Sequence, residues 1–338
     1  MKRDAKLDYI KGILIFLVVY GHCMYWLSND KTPRWNLYIP QLIYTFHMPL
    51  FVFLSGYFFS RKRNKPLFET IIDKFKRLII PHLFFNIIWI IPIFLLWDWY
   101  GHFITRGYYA GHITLNNIFQ YFTMFWFLWC IFLSCSISTI VYSKLPHPHL
   151  CNIIIAIFLY ITDNLYPHIF LFTESHLGNM YIFFTLGVIL YGKESIIKSK
   201  WSVICSSIVY IIYLWLLFSE SPYYSYWNEG IGKIAALVCS FNIINLLYNT
   251  SILHKYFIII SRYSLFIYIY HFTLLYPLIG ITPKNQTGNY TAIINFIFSI
   301  LTVLLLSEIA KITHNSLWLR RYMFGEYKDY KNVSTSLK

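Results

Sequence analysis

Residues 11–22 read "KGILIFLVVYGH". A lysine and a histidine bracket ten uncharged residues, eight of them bulky and apolar, and the run continues through Cys23, Met24, Tyr25 and Trp26. An α-helix of about 18 or more such residues crosses a hydrocarbon core about 30 Å thick. The stretch shows no polar face of the kind a surface helix of a soluble protein carries. It therefore reads as a membrane span that holds an ionisable group toward each end. No small-residue cleavage site follows in "GHCMYWLSND", so the spacing predicts a retained helix rather than a signal peptide.

Similar segments recur along all 338 residues. Hydropathy predicts ten spans, at 10–27, 41–59, 79–97, 117–142, 150–162, 178–191, 202–219, 231–248, 257–279 and 291–312. Composition agrees: 57% of residues are hydrophobic, 21% aromatic and only 12% charged. The expected fold is all-α, a polytopic integral membrane protein of about ten transmembrane helices. Lysines and arginines gather before span one, after spans two and six, and in the tail; with ten spans these segments share one side, the cytoplasm by the positive-inside rule. Both termini are then cytoplasmic. The net charge of +14 follows from these loops and gives no call for nucleic acid. Residues 1–315 are read as one transmembrane domain and 316–338 as a cytoplasmic tail. The six cysteines lie in or beside apolar segments without zinc or disulfide spacing and are read as packing residues. "HPH" at 147–149 is a weak metal pattern, and no metal is expected. "NQT" and "NYT" near 285–291 match the glycosylation pattern but are common by chance.

Lys11 and His22 are eleven residues apart. At 3.6 residues per turn that is three turns plus about 20°, so both lie on one stripe, about 16 Å apart along the axis. Asp8 precedes Lys11 by one turn and can pair with it. Ionisable groups inside a span tend to face a cavity or protein interior and to mark function. A lysine snorkelling to the headgroups and a core histidine would leave the same trace. Further stretches bear on the choice: "FHMPLFVFLSGYFF" at 46–59, "KFKRLIIP" at 74–81 with Lys74 and Arg77 three apart, "FWFLW" at 125–129, and "SRYSLFIYIYH" at 261–271.

In these stretches, taken in this order, the chain resembles the integral-membrane acyltransferase-3 family, which includes bacterial surface-polysaccharide O-acetyltransferases. The match to the branch related to fucose 4-O-acetylase is carried by "WFLW" and "SLFIYIYH". The family's basic-residue-x10-His pattern falls on Lys11 and His22, and its basic pair before the third span falls on Lys74 and Arg77, with Lys at the first position. The resemblance implies about ten helices and acyl transfer from acyl-CoA. Some members carry an extra esterase-like domain, for which this chain leaves no room.

Such a reaction needs a base for the attacking hydroxyl, and histidine titrates near neutrality. His22 is the candidate base, with Lys11 the second catalytic candidate. Lys11, Lys74 and Arg77, with Arg61–Arg63 nearby, are candidates for the phosphates of acetyl-CoA, the expected co-substrate. Asp8, His47, His271 and Glu308 are possible supports; Glu308 can also pair with Lys311 at the inner boundary. Asp30, Glu174, Glu220 and Glu229 and the many aromatics are placed outside, where a surface or lipid-linked saccharide acceptor would approach. Membrane lipid is the remaining partner, and the bacterial cytoplasmic membrane the expected location. A transporter exporting a glycan or acylated small molecule is the competing reading, although no inverted repeat is visible.

Overall fold

A computed structural model describes residues 4–27, 34–61, 66–90, 125–165, 176–219, 226–250, 252–281 and 291–327. Every regular element among them is helical. Helix α1 (Ala5–Leu27) starts where Asp4 caps it: the N–H groups of Lys6 and Leu7 donate to its Oδ1 at 3.0 and 3.3 Å, satisfying donors that a helix start leaves open. Helix α2 (Arg34–Ser60) holds Pro40 and Pro49 in its interior, a combination that packed membrane helices tolerate.

The next segment is irregular. α3 (Leu67–Lys74) passes into a π-helical turn, Phe75–Ile79, then α4 (Ile80–Phe85) and a second π turn, Asn86–Ile90. The expected third span, 79–97, thus begins in alternating α and π turns, and 91–97 lies outside the described residues. α5 (Trp126–Lys144), α6 (Pro148–Leu165), α7 (Leu177–Ile189), the short α8 (Glu194–Ile197), α9 (Lys200–Phe218) and α10 (Tyr226–Thr250) follow. Then come α11 (His254–Arg262), α12 (Ser264–Ile281), α13 (Thr291–His314) and α14 (Leu317–Phe324).

Seven helices among the described residues are long and apolar enough to cross a membrane: α1, α2, α5, α6, α9, α10 and α13. The pair α11–α12 makes an eighth if counted as one span, but it bends by 85°. That bend departs from the continuous span expected over 257–279. The sixth expected span is α7, of 13 residues, about 20 Å long and shorter than the core it would cross.

α1 and α2 form the centre. α1 packs on α2, α11, α12 and α13, and α2 packs also on α7 and α10. Glycine permits the tightest crossing. A Cβ at Gly56 would lie 2.0 Å from the Phe184 carbonyl oxygen, and one at Gly187 would lie 2.0 Å from that of Phe53. α2 and α7 therefore touch backbone to backbone, the close approach that small residues give membrane helices. A buried polar cluster ties α5, α6 and α7 together: Ser138 and Tyr181 both donate to Asn152 Oδ1, at 3.0 and 2.5 Å.

The start of the expected tail is packed against the bundle. Phe324 is buried and stacks on Phe266 at 5.1 Å, and His314 Nε2 meets Glu326 at 3.0 Å. Gly325 ends α14 at φ +63°, pressed so close to the π turn that a Cβ would lie 2.5 Å from the Arg77 Cα. Residues 328–338 lie outside the described residues.

Candidate active site

At the end of the bundle that carries Lys11, a cavity of about 320 Å³ opens, within the range of small-molecule sites, roughly 300–1,000 Å³. Four cations line its mouth: Lys11 from α1, Arg61 after α2, Lys74 at the end of α3 and Arg77 in the π turn. Asp4 and Asp8 line it too. Lys74 and Arg77 are thus brought together with Lys11, but across a junction of α and π turns rather than on one regular helix face. π turns inside α-helices occur often at functional sites. Deeper in, the wall becomes apolar, with Phe51, Leu54, Phe127, Leu128 and Tyr268. Ser55 faces this cavity while its neighbour Gly56 packs on α7.

His22 lies farther along the unbroken α1, about 16 Å from Lys11 by helical rise. Its Nδ1 is 2.7 Å from Nε2 of His271 on α12. The two rings are nearly parallel, with centroids 5.0 Å apart, and Phe272 stacks on His22 at 5.0 Å. Tyr44 of α2 borders the same ring at 6.4 Å. His271 is fully buried, and its Nδ1 lies 2.7 Å from the Tyr268 carbonyl oxygen and 3.1 Å from that of Ile267. His47 is buried as well; its Nδ1–H donates to the Ile43 carbonyl at 2.7 Å, and its edge meets Tyr44. Three histidines from three helices therefore converge.

The cavity stops one turn short of them. Phe51, on its wall, follows His47 by four residues on α2; Tyr268, also on its wall, precedes His271 by three on α12. Along each helix that is about 5 Å. The intervening layer is aromatic: Phe127 meets Phe51 at 5.3 Å and Tyr268 at 5.4 Å, and Phe125 meets Phe272 at 5.9 Å.

The other sequence candidates fall as follows. Asp8 lines the cavity beside Lys11. Glu308 sits on the exposed face of α13, its Oε1 2.5 Å from Lys311 Nζ, away from both the cavity and the histidines. The Tyr142 hydroxyl and Nδ1 of His149 in "HPH" share a hydrogen bond at 2.9 Å, and no cluster of three or more His, Cys, Asp or Glu side chains placed to hold a metal occurs among the described residues. Lys62, Arg63, Asp30, Glu174, Glu220 and 285–290 lie outside the described residues, as does the side chain of Glu229. Two residues near the site were missed from sequence. Lys233 of α10 acts electrostatically on His47; its signal was a lone lysine in the apolar run "IGKIAALV". His82, fully buried in "IIPHLFF", borders Phe125 and Trp129.

A family model described as an acyltransferase domain matches residues 4–310. Two curated relatives are nodulation proteins NolL. That of Sinorhizobium fredii (strain NBRC 101917 / NGR234) is 34% identical over 134 residues, 39% of this chain and 35% of that protein. That of Mesorhizobium japonicum (strain LMG 29417 / CECT 9101 / MAFF 303099) is 30% identical over 135 residues, 39% of this chain and 34% of that protein. The matched part thus spans about a third of each relative's length. No solved structure matches. With the family model covering nearly the whole chain and its helices long enough to cross a bilayer, the chain belongs to the acyltransferase-3 family of membrane acyltransferases.

Proposed function

We propose that this chain is a membrane O-acyltransferase, in the simplest case an O-acetyltransferase. It moves an acyl group from cytoplasmic acyl-CoA to a hydroxyl of a cell-surface or lipid-linked glycan. The observation that carries this reading is the cationic cavity ending one helical turn from His47 and from His271, which meets His22 at 2.7 Å. The charge asymmetry of the loops supports a cytoplasmic mouth, and the proposed location is the bacterial cytoplasmic membrane.

In this reading Lys11, Arg61, Lys74 and Arg77 hold the donor's phosphates through charge-assisted hydrogen bonds. The pantetheine arm runs along the apolar wall toward the histidines. His22 takes the proton of the acceptor hydroxyl as its oxygen attacks the thioester carbonyl. The tetrahedral species then collapses, the C–S bond breaks, and the departing thiolate receives that proton. Ester and free thiol are the products, and no electrons are exchanged. A positioned base of this kind contributes about 10²–10⁴-fold.

The test uses purified protein, labelled acetyl-CoA, and membranes from a strain lacking the gene as the source of acceptor. Label should enter the membrane glycan, and His22→Ala should lower that rate at least about 100-fold while acetyl-CoA still binds. A wild-type rate in His22→Ala would remove the base. Counterflow of unmodified sugar into vesicles without label transfer would favour transport instead.

A further inference from the structure

We infer that His271 is a positioning residue that fixes the tautomer of His22 and thereby aims its basic nitrogen at the acceptor hydroxyl. The inference rests on the acyltransferase reading and deepens it. Its ground is a chain of hydrogen bonds whose direction has one solution. A backbone carbonyl can only accept. His271 Nδ1 lies 2.7 Å from the Tyr268 carbonyl and 3.1 Å from the Ile267 carbonyl, so this nitrogen carries a hydrogen. In the neutral ring the opposite nitrogen, Nε2, then holds a lone pair. That Nε2 is the atom 2.7 Å from His22 Nδ1. His22 Nδ1 must therefore donate, and its own lone pair is left on Nε2.

The order is carbonyl, His271, His22, acceptor hydroxyl. Each ring is oriented by the group behind it, as a metal-binding or catalytic histidine is oriented by the partner of its other nitrogen. The surroundings hold the pair in register. His271 is fully buried, its ring contacts Phe272 at 4.1 Å, and Phe272 also stacks on His22. When His22 takes the hydroxyl proton on Nε2 it becomes a cation with both nitrogens protonated. The His271 Nε2 lone pair then accepts from the charged Nδ1–H, a bond stronger than the neutral one. The proton returns from Nε2 to the leaving thiolate, so His271 itself neither gains nor loses a proton. Without an acceptor at that point, His22 is free to adopt the other tautomer, with a hydrogen where the base is needed.

Two amide substitutions separate positioning from packing. Glutamine at 271 places an amide oxygen near the former Nε2 and can still accept from His22. Asparagine is one methylene shorter and reaches only about as far as the former Nδ1. Transfer from labelled acetyl-CoA to the membranes described above is measured while the donor concentration is varied. His271→Gln should keep kcat within about 10-fold of the parent, and His271→Asn should lower it by about 10²–10⁴-fold. The KM for acetyl-CoA should change less than about 2-fold in both, because the cationic cavity is separate. Equal activity of His271→Asn and the parent overturns the inference, as does equal loss in both variants together with a raised KM. A second readout does not depend on turnover. In ¹⁵N-histidine-labelled full-length protein in lipid nanodiscs, both His22 and His271 should be Nδ1–H tautomers. An Nε2–H tautomer at His22 overturns the inference even if His22→Ala is inactive. A fully active His22→Ala removes the acyl-transfer base itself, so the two failures are distinguishable.

Discussion

A lysine at position 11 and a histidine at position 22 differ by a whole number of turns plus about 20°, and this is why their placement was legible from sequence. α1 is unbroken from Ala5 to Leu27, so counting along it was enough. The partner of His22 was not legible in the same way. His271 stands 249 residues later in the chain, on a helix whose direction depends on the bend at Tyr263, and no spacing rule connects the two. Glu308 shows the opposite case: its pairing with Lys311 at i, i+3 is local and could be read from sequence, and it leaves Glu308 outside the site. In the proposed reading, replacing Lys11, Lys74 or Arg77 by alanine removes one charged partner of the donor, a loss of about 1.5–3 kcal/mol. Each should raise the KM for acetyl-CoA by about 10- to 100-fold and change kcat little. Steady-state kinetics at varied donor concentration checks this, and a fall in kcat at unchanged KM would move these residues out of the donor site.

Element by element, hydropathy found the straight helices and missed the interruptions. α1, α6, α9, α10 and α13 match their expected spans to within about five residues at each end, because a long apolar run is a strong signal. α2 starts seven residues before its expected span, and of the fourth expected span, 117–142, α5 covers the part from Trp126, with 117–124 outside the described residues. The 85° bend between α11 and α12 is not marked by glycine or proline; "SRYS" joins two apolar stretches, and averaging over a window hides the corner. The π turn carrying Arg77 is equally silent, since π and α segments use the same residues. Small residues mark the close crossing of α2 and α7 at Gly56 and Gly187. Gly56→Leu forces a side chain into the Phe184 carbonyl, and overpacking of this kind costs about 1–3 kcal/mol. The midpoint of heat-induced aggregation of the detergent-solubilised variant should fall; an unchanged midpoint would mean that α2 and α7 do not touch there. Gly325→Val strains a left-handed cap and presses on the turn that holds Arg77. It should raise the KM for acetyl-CoA while leaving kcat within about 3-fold, whereas a tail that merely hangs in solvent would tolerate it with no kinetic change.

Across the whole molecule the polar groups are sorted along the bundle axis. Lys11, Arg61, Lys74 and Arg77 surround the mouth at one end, aromatic side chains fill the middle, and three histidines follow beyond them. A donor carrying phosphates at one end and a thioester at the other has the same polarity as this series. Ser55 lies on the cavity wall between the cations and the aromatic layer. A single cysteine placed there, with the six native cysteines replaced, reports which side of the membrane reaches the cavity and what fills it. Ser55→Cys should react with a membrane-impermeant maleimide in inside-out vesicles, and saturating acetyl-CoA should protect it. Labelling confined to right-side-out cells, or labelling that acetyl-CoA does not slow, would contradict the account.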